Sequence, residues 1–271
     1  MADIITTNDM EEYRYFVGVS THPGTQRDEN QDNFVINDVV KKDDDSEVNL
    51  RGGDISQPLV CGVFDGMGGE KNGGLASKIC AEQSIAIYRA LLSGGSIDDS
   101  VSAFVQKSND AVVEMLENSR MKRGGSTFVM AIMAEDKVYP YSLGDSRLYL
   151  YDGTTLRQIT NDHTLAMKKY YANIYTLEEA MESSDSHKLT AFLGVDFDNE
   201  GLKPEAYEPL TLRAGEKLLL CSDGLYDMCS DDEIFAILKE SSDAVSLDLV
   251  EKAIENGGKD NVTCLVIERQ G

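Results

Sequence analysis

The chain has 271 residues, 41% of them hydrophobic and 27% charged, which fits one large domain with a full core. A formal charge of −23 speaks against a nucleic-acid binder, whose affinity comes from Lys and Arg on phosphates. No apolar run approaches the roughly 20 residues of a membrane span, and Met1 to Met10 lacks the pattern of a signal peptide, so a cytoplasmic protein without membrane contact is expected.

In chain order, strands are predicted over Tyr13–Ser20, Asn33–Val40 and Leu59–Asp65. The polar stretch Lys41–Gly53, with Asp43-Asp44-Asp45, reads as an exposed loop, since it lacks the Gly and the terminal Glu of a calcium-binding loop. A helix is predicted over Gly74–Leu92. A second starts at Ser96, with Asp99 in the capping-box position and an apolar stripe of Val101, Phe104, Val105, Val112, Met115 and Leu116. Strands follow over Thr127–Ala134, Val138–Leu143, Arg147–Tyr151 and Thr155–Thr160. Asp162–His187 interrupts them with a short helical stretch, where Thr176 and Glu179 make a capping box. Strands at Glu208–Leu212, Lys217–Ser222 and Val262–Glu268 enclose two helices. One opens at Ser230 with Glu233 as its capping partner, and the other covers Leu247–Asn256 and is stopped by Gly257-Gly258. Short turns at Glu135-Asp136-Lys137, Asp152-Gly153 and Ala214-Gly215-Glu216 imply largely antiparallel sheets. Helices and strands come in blocks, which argues for an α+β fold.

The acidic charge is either a solvated surface or a set of aspartates beside bound cations, and only spacing distinguishes the two. Asp65 follows the buried-strand pattern Val60–Phe64, and Asp223 follows Leu218–Ser222. Asp145 follows Tyr139–Leu143, while Asp32 and Asp260 precede strands. Strands aim a carboxylate well, a following glycine lets a cation approach the backbone, and hard divalent cations prefer oxygen ligands. Taken singly, each Asp-Gly is a turn dipeptide. The glycines from Gly66 to Gly74 fail the dinucleotide fingerprint, because Lys71 stands at its third glycine position. His22, His163 and His187 have no zinc-protease spacing, and Ser222 lacks a nucleophile-elbow setting. The cysteines at 61, 80, 221, 229 and 264 form no C-x-x-C pair and read as buried, reduced thiols.

Together the segments resemble the type 2C family of metal-dependent protein serine/threonine phosphatases in its bacterial form. The resemblance rests on Arg27-Asp28-Glu29-Asn30-Gln31-Asp32, Asp65-Gly66-Met67-Gly68-Gly69, Gly125-Ser126-Thr127, Gly144-Asp145-Ser146-Arg147, Asp162-His163-Thr164, Leu189–Gly194, Ser222-Asp223-Gly224-Leu225 and Asp260-Asn261-Val262-Thr263. These eight motifs occur in the family's order from residue 27 to 263. Three positions depart from the pattern: Gln31 replaces a carboxylate, Ala191 replaces an arginine, and Met67 replaces the histidine proposed as general acid in animal-type members.

The resemblance implies a four-layer α/β/β/α sandwich over residues 1–271, with Asp162–His187 as a flap beside the site. It implies Mn²⁺ or Mg²⁺, two to three ions per chain, and direct attack of a hydroxide bridging two of them on phosphoserine or phosphothreonine. Asp65 would bridge the two metals, Asp223 and Asp260 would hold the first, and the Gly66 carbonyl the second, with Asp32 supporting its waters. Asp145 with Asp223 would hold a third, and Arg27 would clamp the phosphate. Expected partners are phosphorylated proteins, including a Ser/Thr kinase, in signal transduction, with the enzyme a monomer. Two other readings stand beside this one: a catalytically silent binding module of the same fold, and a two-metal nuclease, against which the lack of a basic stripe speaks.

Overall fold

The computed structural model describes residues 14–42, 46–68, 71–119, 123–195, 202–240 and 242–270. Tyr13, Asp43-Asp44-Asp45 and Gly69 lie outside the described residues.

The chain begins with β1 (Arg14–His22), β2 (Asn33–Ile36), β3 (Val39–Val40), β4 (Val48–Ser56), β5 (Leu59–Phe64) and β6 (Gly66–Met67). Two long helices follow, α1 (Lys71–Leu92) and α2 (Ile97–Asn118), then β7 (Gly125–Ser126), β8 (Phe128–Ala134), β9 (Lys137–Leu143), β10 (Arg147–Tyr151) and β11 (Leu156–Gln158). Short helices α3 (Leu165–Tyr171) and α4 (Leu177–Glu182) precede β12 (Glu205–Ala206), β13 (Lys217–Cys221) and the single turn α5 (Asp223–Tyr226). The described chain closes with α6 (Asp231–Lys239), α7 (Val245–Glu255) and β14 (Val262–Arg269).

Two six-stranded sheets form, in the orders β11-β10-β13-β14-β1-β4 and β12-β9-β8-β5-β2-β3. Every neighbouring pair is antiparallel. Successive strand residues face opposite sides, and the central strands are apolar on both. In β8, Val129, Ala131 and Met133 enter the core between the sheets, while Phe128, Met130 and Ile132 meet α1 and α2. In β13, Leu218 and Leu220 face the other sheet, while Leu219 and Cys221 pack under α6 and α7. Three apolar interfaces thus separate four layers, as the family resemblance implies.

Helix starts follow their caps. Ser96 accepts the Asp99 N–H at the head of α2, and its stripe is buried save for the partly covered Met115. Complete capping boxes open α4 at Thr176/Glu179 and α6 at Ser230/Glu233. Beyond α7, Gly257 and Gly258 take φ of 130° and 50°, conformations that favour glycine.

Three sequence expectations need correction. Lys41–Gly53 is not all loop: Val48–Ser56 pairs along β1 as an edge strand. An edge strand with few buried side chains needs no apolar alternation, so its sequence reads as loop. Glu208–Leu212 forms no strand; Leu210 makes one isolated bridge to Val138, and the paired residues are Glu205–Ala206. The first long helix begins at Lys71, before Gly74, with Gly73 and Gly74 inside it. The Gly73 backbone packs on Gly66, and a Cβ at Gly66 would lie 2.2 Å from the Gly73 carbonyl oxygen.

Candidate active site

A cleft of about 620 Å³ is lined by Arg27, Gln31, Asp65, Gly66, Met67, Asp223 and Asp260 among others. Both sheets deliver residues to it. Asp65 follows β5 and joins it to β6, and its backbone is tied on both sides to Thr127: Thr127 N–H donates to the Asp65 carbonyl at 2.9 Å, and Asp65 N–H to Thr127 Oγ1 at 3.2 Å. Thr127 Oγ1 in turn lies 2.7 Å from Ser146 Oγ, which joins the Asp65 corner to the turn carrying Asp145. Asp223 is the first residue of α5, so the predicted strand end is also a helix start. Gly224 behind it has no room for a side chain: a Cβ there would stand 2.0 Å from the Asn261 carbonyl oxygen. That close approach of backbones brings Asp223 next to the loop carrying Asp260.

Asp260 precedes β14. Its Oδ2 accepts from Arg27 Nη2 at 2.6 Å and its Oδ1 from the Asn261 N–H at 2.8 Å. Asn261 is the clasp of this wall, donating to the carbonyls of Pro23 and Glu29 and accepting from Gln31 N–H. Arg27 is more than half exposed, and its bond to Asp260 raises its pKa further.

Asp32, at the mouth of β2, is 1% exposed. Its Oδ2 accepts from Ser222 Oγ and from Thr263 Oγ1, each at 2.7 Å. Its Oδ1 is buried and has no hydrogen-bond partner. Burial lifts its pKa to about 6 against the pull of the two hydroxyls. Asp145 is 7% exposed in the β9–β10 turn, and its carbonyl accepts from Tyr226 Oη at 3.0 Å. Burial, and then the charge of Asp162, raise its pKa to about 7. Asp65 and Asp223 are both pushed well above the usual carboxylate range, first by burial, and then by each other in the case of Asp65 and by Asp145 in the case of Asp223.

The electrostatics describe a set of carboxylates that repel one another, with Arg27 on Asp260 and Lys41 acting on Asp32 as cationic counterweights. Among the described residues no three acidic, His or Cys side chains already converge as a closed cage. The donor set nevertheless fits divalent cations. It is all oxygen, it is over-charged without a cation, and it contains a buried acceptor, Asp32 Oδ1, still lacking a partner. A cation would supply what each of these features lacks.

Sequence reasoning singled out Asp32, Asp65, Gly66, Asp145, Asp223, Asp260 and Arg27. The cleft gathers Asp65, Gly66, Asp223, Asp260 and Arg27 in its lining, while Asp32 and Asp145 are buried and close enough for their charges to raise the Asp223 pKa. It gave no role to Thr263 or Ser222, whose hydroxyls hold Asp32, although both stand in quoted motifs. It also missed Arg147, which grips Asp162 through Nε at 3.0 Å and Nη2 at 2.6 Å while stacked 3.6 Å over the Tyr226 ring. His163 is a satisfied residue: it accepts from Gly144 N–H at 3.0 Å and lies 2.7 Å from Glu205. The five cysteines are buried and free, with thiols pushed up by burial, and Cys221 is core.

Fold and site together form a four-layer sandwich with a cleft of buried carboxylates, and comparison with known proteins gives the family. The protein phosphatase 2C family profile matches residues 42–255. The chain belongs to that family and is a serine/threonine protein phosphatase. It is 35% identical over 220 residues to a serine/threonine phosphatase stp of Listeria welshimeri, covering 79% of this chain and 85% of the relative. The crystal structure of the Mycobacterium tuberculosis serine/threonine phosphatase PstP/Ppp superposes with a TM-score of 0.77 at 27% identity, covering 95% of this chain and all of the other. The PstP catalytic domain solved with two manganese ions gives a TM-score of 0.72 at 26% identity, covering 95% of this chain and 100% of the other.

Proposed function

We propose that the chain is a single-domain phosphatase, residues 1–271, that hydrolyses phosphoserine and phosphothreonine with two to three Mn²⁺ or Mg²⁺ ions and no phosphoenzyme. The observation that carries this reading is the Asp65/Asp223 pair on the cleft floor, repelling each other and backed by the part-satisfied Asp32. Support comes also from the manganese bound by the PstP catalytic domain.

In this reading Asp65, Asp223, Asp260 and the Gly66 carbonyl would hold the ions, Asp32 would support their waters, and Asp145 with Asp223 would hold a third ion. When bound, such ions supply Lewis acidity and lower the pKa of water so that it attacks phosphorus near neutral pH. The residues do the rest. Ser222 and Thr263 keep Asp32 charged and aimed. Gly66 has no room for a side chain, since a Cβ there would lie 2.2 Å from the Gly73 carbonyl oxygen and 2.5 Å from that of Gln31, and this packing fixes its backbone. Arg27, on the cleft rim, exchanges Asp260 for the substrate phosphate, to which its planar fork is suited. Asp162–His187 is the flap, latched to the site by the Arg147–Asp162 pair. Substrates are phosphorylated proteins, a Ser/Thr kinase among them, met by a monomer in the cytoplasm. Among the described residues no helix is long and apolar enough to cross a membrane.

The test is phosphate release from a phosphothreonine peptide with Mn²⁺ or Mg²⁺, set against cleavage of single-stranded DNA under the same conditions. Peptide turnover that a chelator abolishes supports the proposal; DNA cleavage, or no turnover of either, overturns it.

A further inference from the structure

Beside the catalytic cleft lies a second cavity of about 560 Å³. Among the described residues its walls include Met67, Val113, Leu116 and Phe192, and the charged side chains that line it are Glu117 and Arg123. In a chain of charge −23 its described lining is mostly apolar, and its volume is within the size range of ligand pockets. It adjoins the cleft, since Met67 and Gly68 line both. At Gly68, φ is 109° and a Cβ would meet the Gly124 Cα at 2.4 Å, so backbone packs on backbone there. Phe192 is held as a wall by Gly125, whose missing side chain leaves room for its ring; a Cβ at Gly125 would lie 2.6 Å from Phe192 Cδ2. Val113 comes from α2, half-buried and one residue past the core residue Val112.

We propose that this cavity is a specificity subsite for the phosphoprotein substrate, taking one large apolar side chain that flanks the phosphorylated residue. The inference rests on the phosphatase reading and adds to it a preference in substrate sequence. The occupant is apolar because the walls are, and it belongs to the same chain as the phosphate because the hollow adjoins, across Met67 and Gly68, the cleft that receives the phosphate. Its polypeptide passes over Met67 and Gly68, and Arg123 and Glu117 face its backbone or neighbouring polar residues. The subsite binds ground state and transition state alike, so its effect falls mainly on KM and on kcat/KM.

The experiment uses phosphothreonine peptides with polar flanks in which a single Leu is moved through the positions on either side of the phosphothreonine. One position is expected to raise kcat/KM by about 10–100-fold over Ser at the same place, the range that burying one Leu-sized side chain implies. Val113→Glu puts a charge in the wall and removes that gain, while turnover of p-nitrophenyl phosphate, which has no flanking residues, stays at the wild-type rate. Phe192→Ala repeats the test if Val113→Glu does not fold, and reduces the gain by enlarging the hollow. Equal turnover at all Leu positions, or a gain that survives in the folded variants, overturns the subsite. Failure of wild-type protein to release phosphate from p-nitrophenyl phosphate and from every peptide, with Mn²⁺ present, overturns the phosphatase reading instead.

Discussion

Thr263→Val tests the support under Asp32. Valine nearly preserves the shape of threonine but removes one of the two hydroxyls that donate to Asp32 Oδ2 at 2.7 Å, in a setting 1% exposed where water does not replace it. A hydrogen bond to a charged group contributes about 1.5–3 kcal/mol, so in the variant Asp32 holds its proton about 10–100-fold more tightly. In the wild type, with a pKa of about 6, Asp32 is half protonated at pH 6. Metal binding requires the charged form and must displace that proton. The apparent Mn²⁺ affinity of the variant should therefore fall about 5–50-fold at pH 6, and return to within about a factor of two at pH 8.5, where both proteins are ionised. The assay is calorimetric titration of Mn²⁺ into chelator-treated protein at the two pH values. Equal affinities at pH 6 would refute the reasoning. A loss of the same size at both pH values would show that the hydroxyl shapes the site and does not control its charge.

Arg27→Ala should raise KM for a phosphopeptide more than it lowers kcat, because a phosphate clamp contacts ground and transition states alike; steady-state kinetics at saturating Mn²⁺ check it, and an unchanged KM removes Arg27 from the phosphate site. Asp145→Ala should bind one metal fewer at high Mn²⁺ and lose most phosphopeptide turnover while remaining folded; an unchanged stoichiometry with near-normal turnover would leave Asp145 only a turn-forming role. The metal-free protein should be more stable at pH 5.5 than at pH 8. Asp32 and Asp145, raised to about 6 and about 7, contribute stability that is full below the unfolded carboxylate range and lost as pH rises through those values. Thermal unfolding with chelator shows the effect, and saturating Mn²⁺ should reverse the order.

The carboxylates were legible because strand ends reveal themselves: an apolar run such as Val60–Phe64 stops at Asp65-Gly66, and the structure puts that aspartate on the cleft floor. Helix starts at Ser96, Thr176 and Ser230 were legible because caps are local chemistry. Val48–Ser56 was not, because an edge strand is held by backbone pairing to β1 and asks little of its side chains. Ser222 and Thr263 lie 41 positions apart, and both are 190 or more from Asp32, so their shared carboxylate exists only once the sheet holding β13 and β14 packs against the sheet holding β2. The Arg27–Asp260 pair is hidden in the same way, bridging 233 positions. It shows that a residue expected to face phosphate is held by a neighbouring carboxylate.

The account stands most directly on the two carboxylates of the cleft floor. The measurement is phosphothreonine-peptide turnover by Asp65→Asn and Asp223→Asn in excess Mn²⁺, beside circular dichroism of each variant. Both should keep the wild-type spectrum and fall below about a tenth of the wild-type rate, since even outer-shell changes at metal sites typically cost 10–100-fold. A folded variant that retains more than that would contradict a direct ligand role and with it the proposed mechanism.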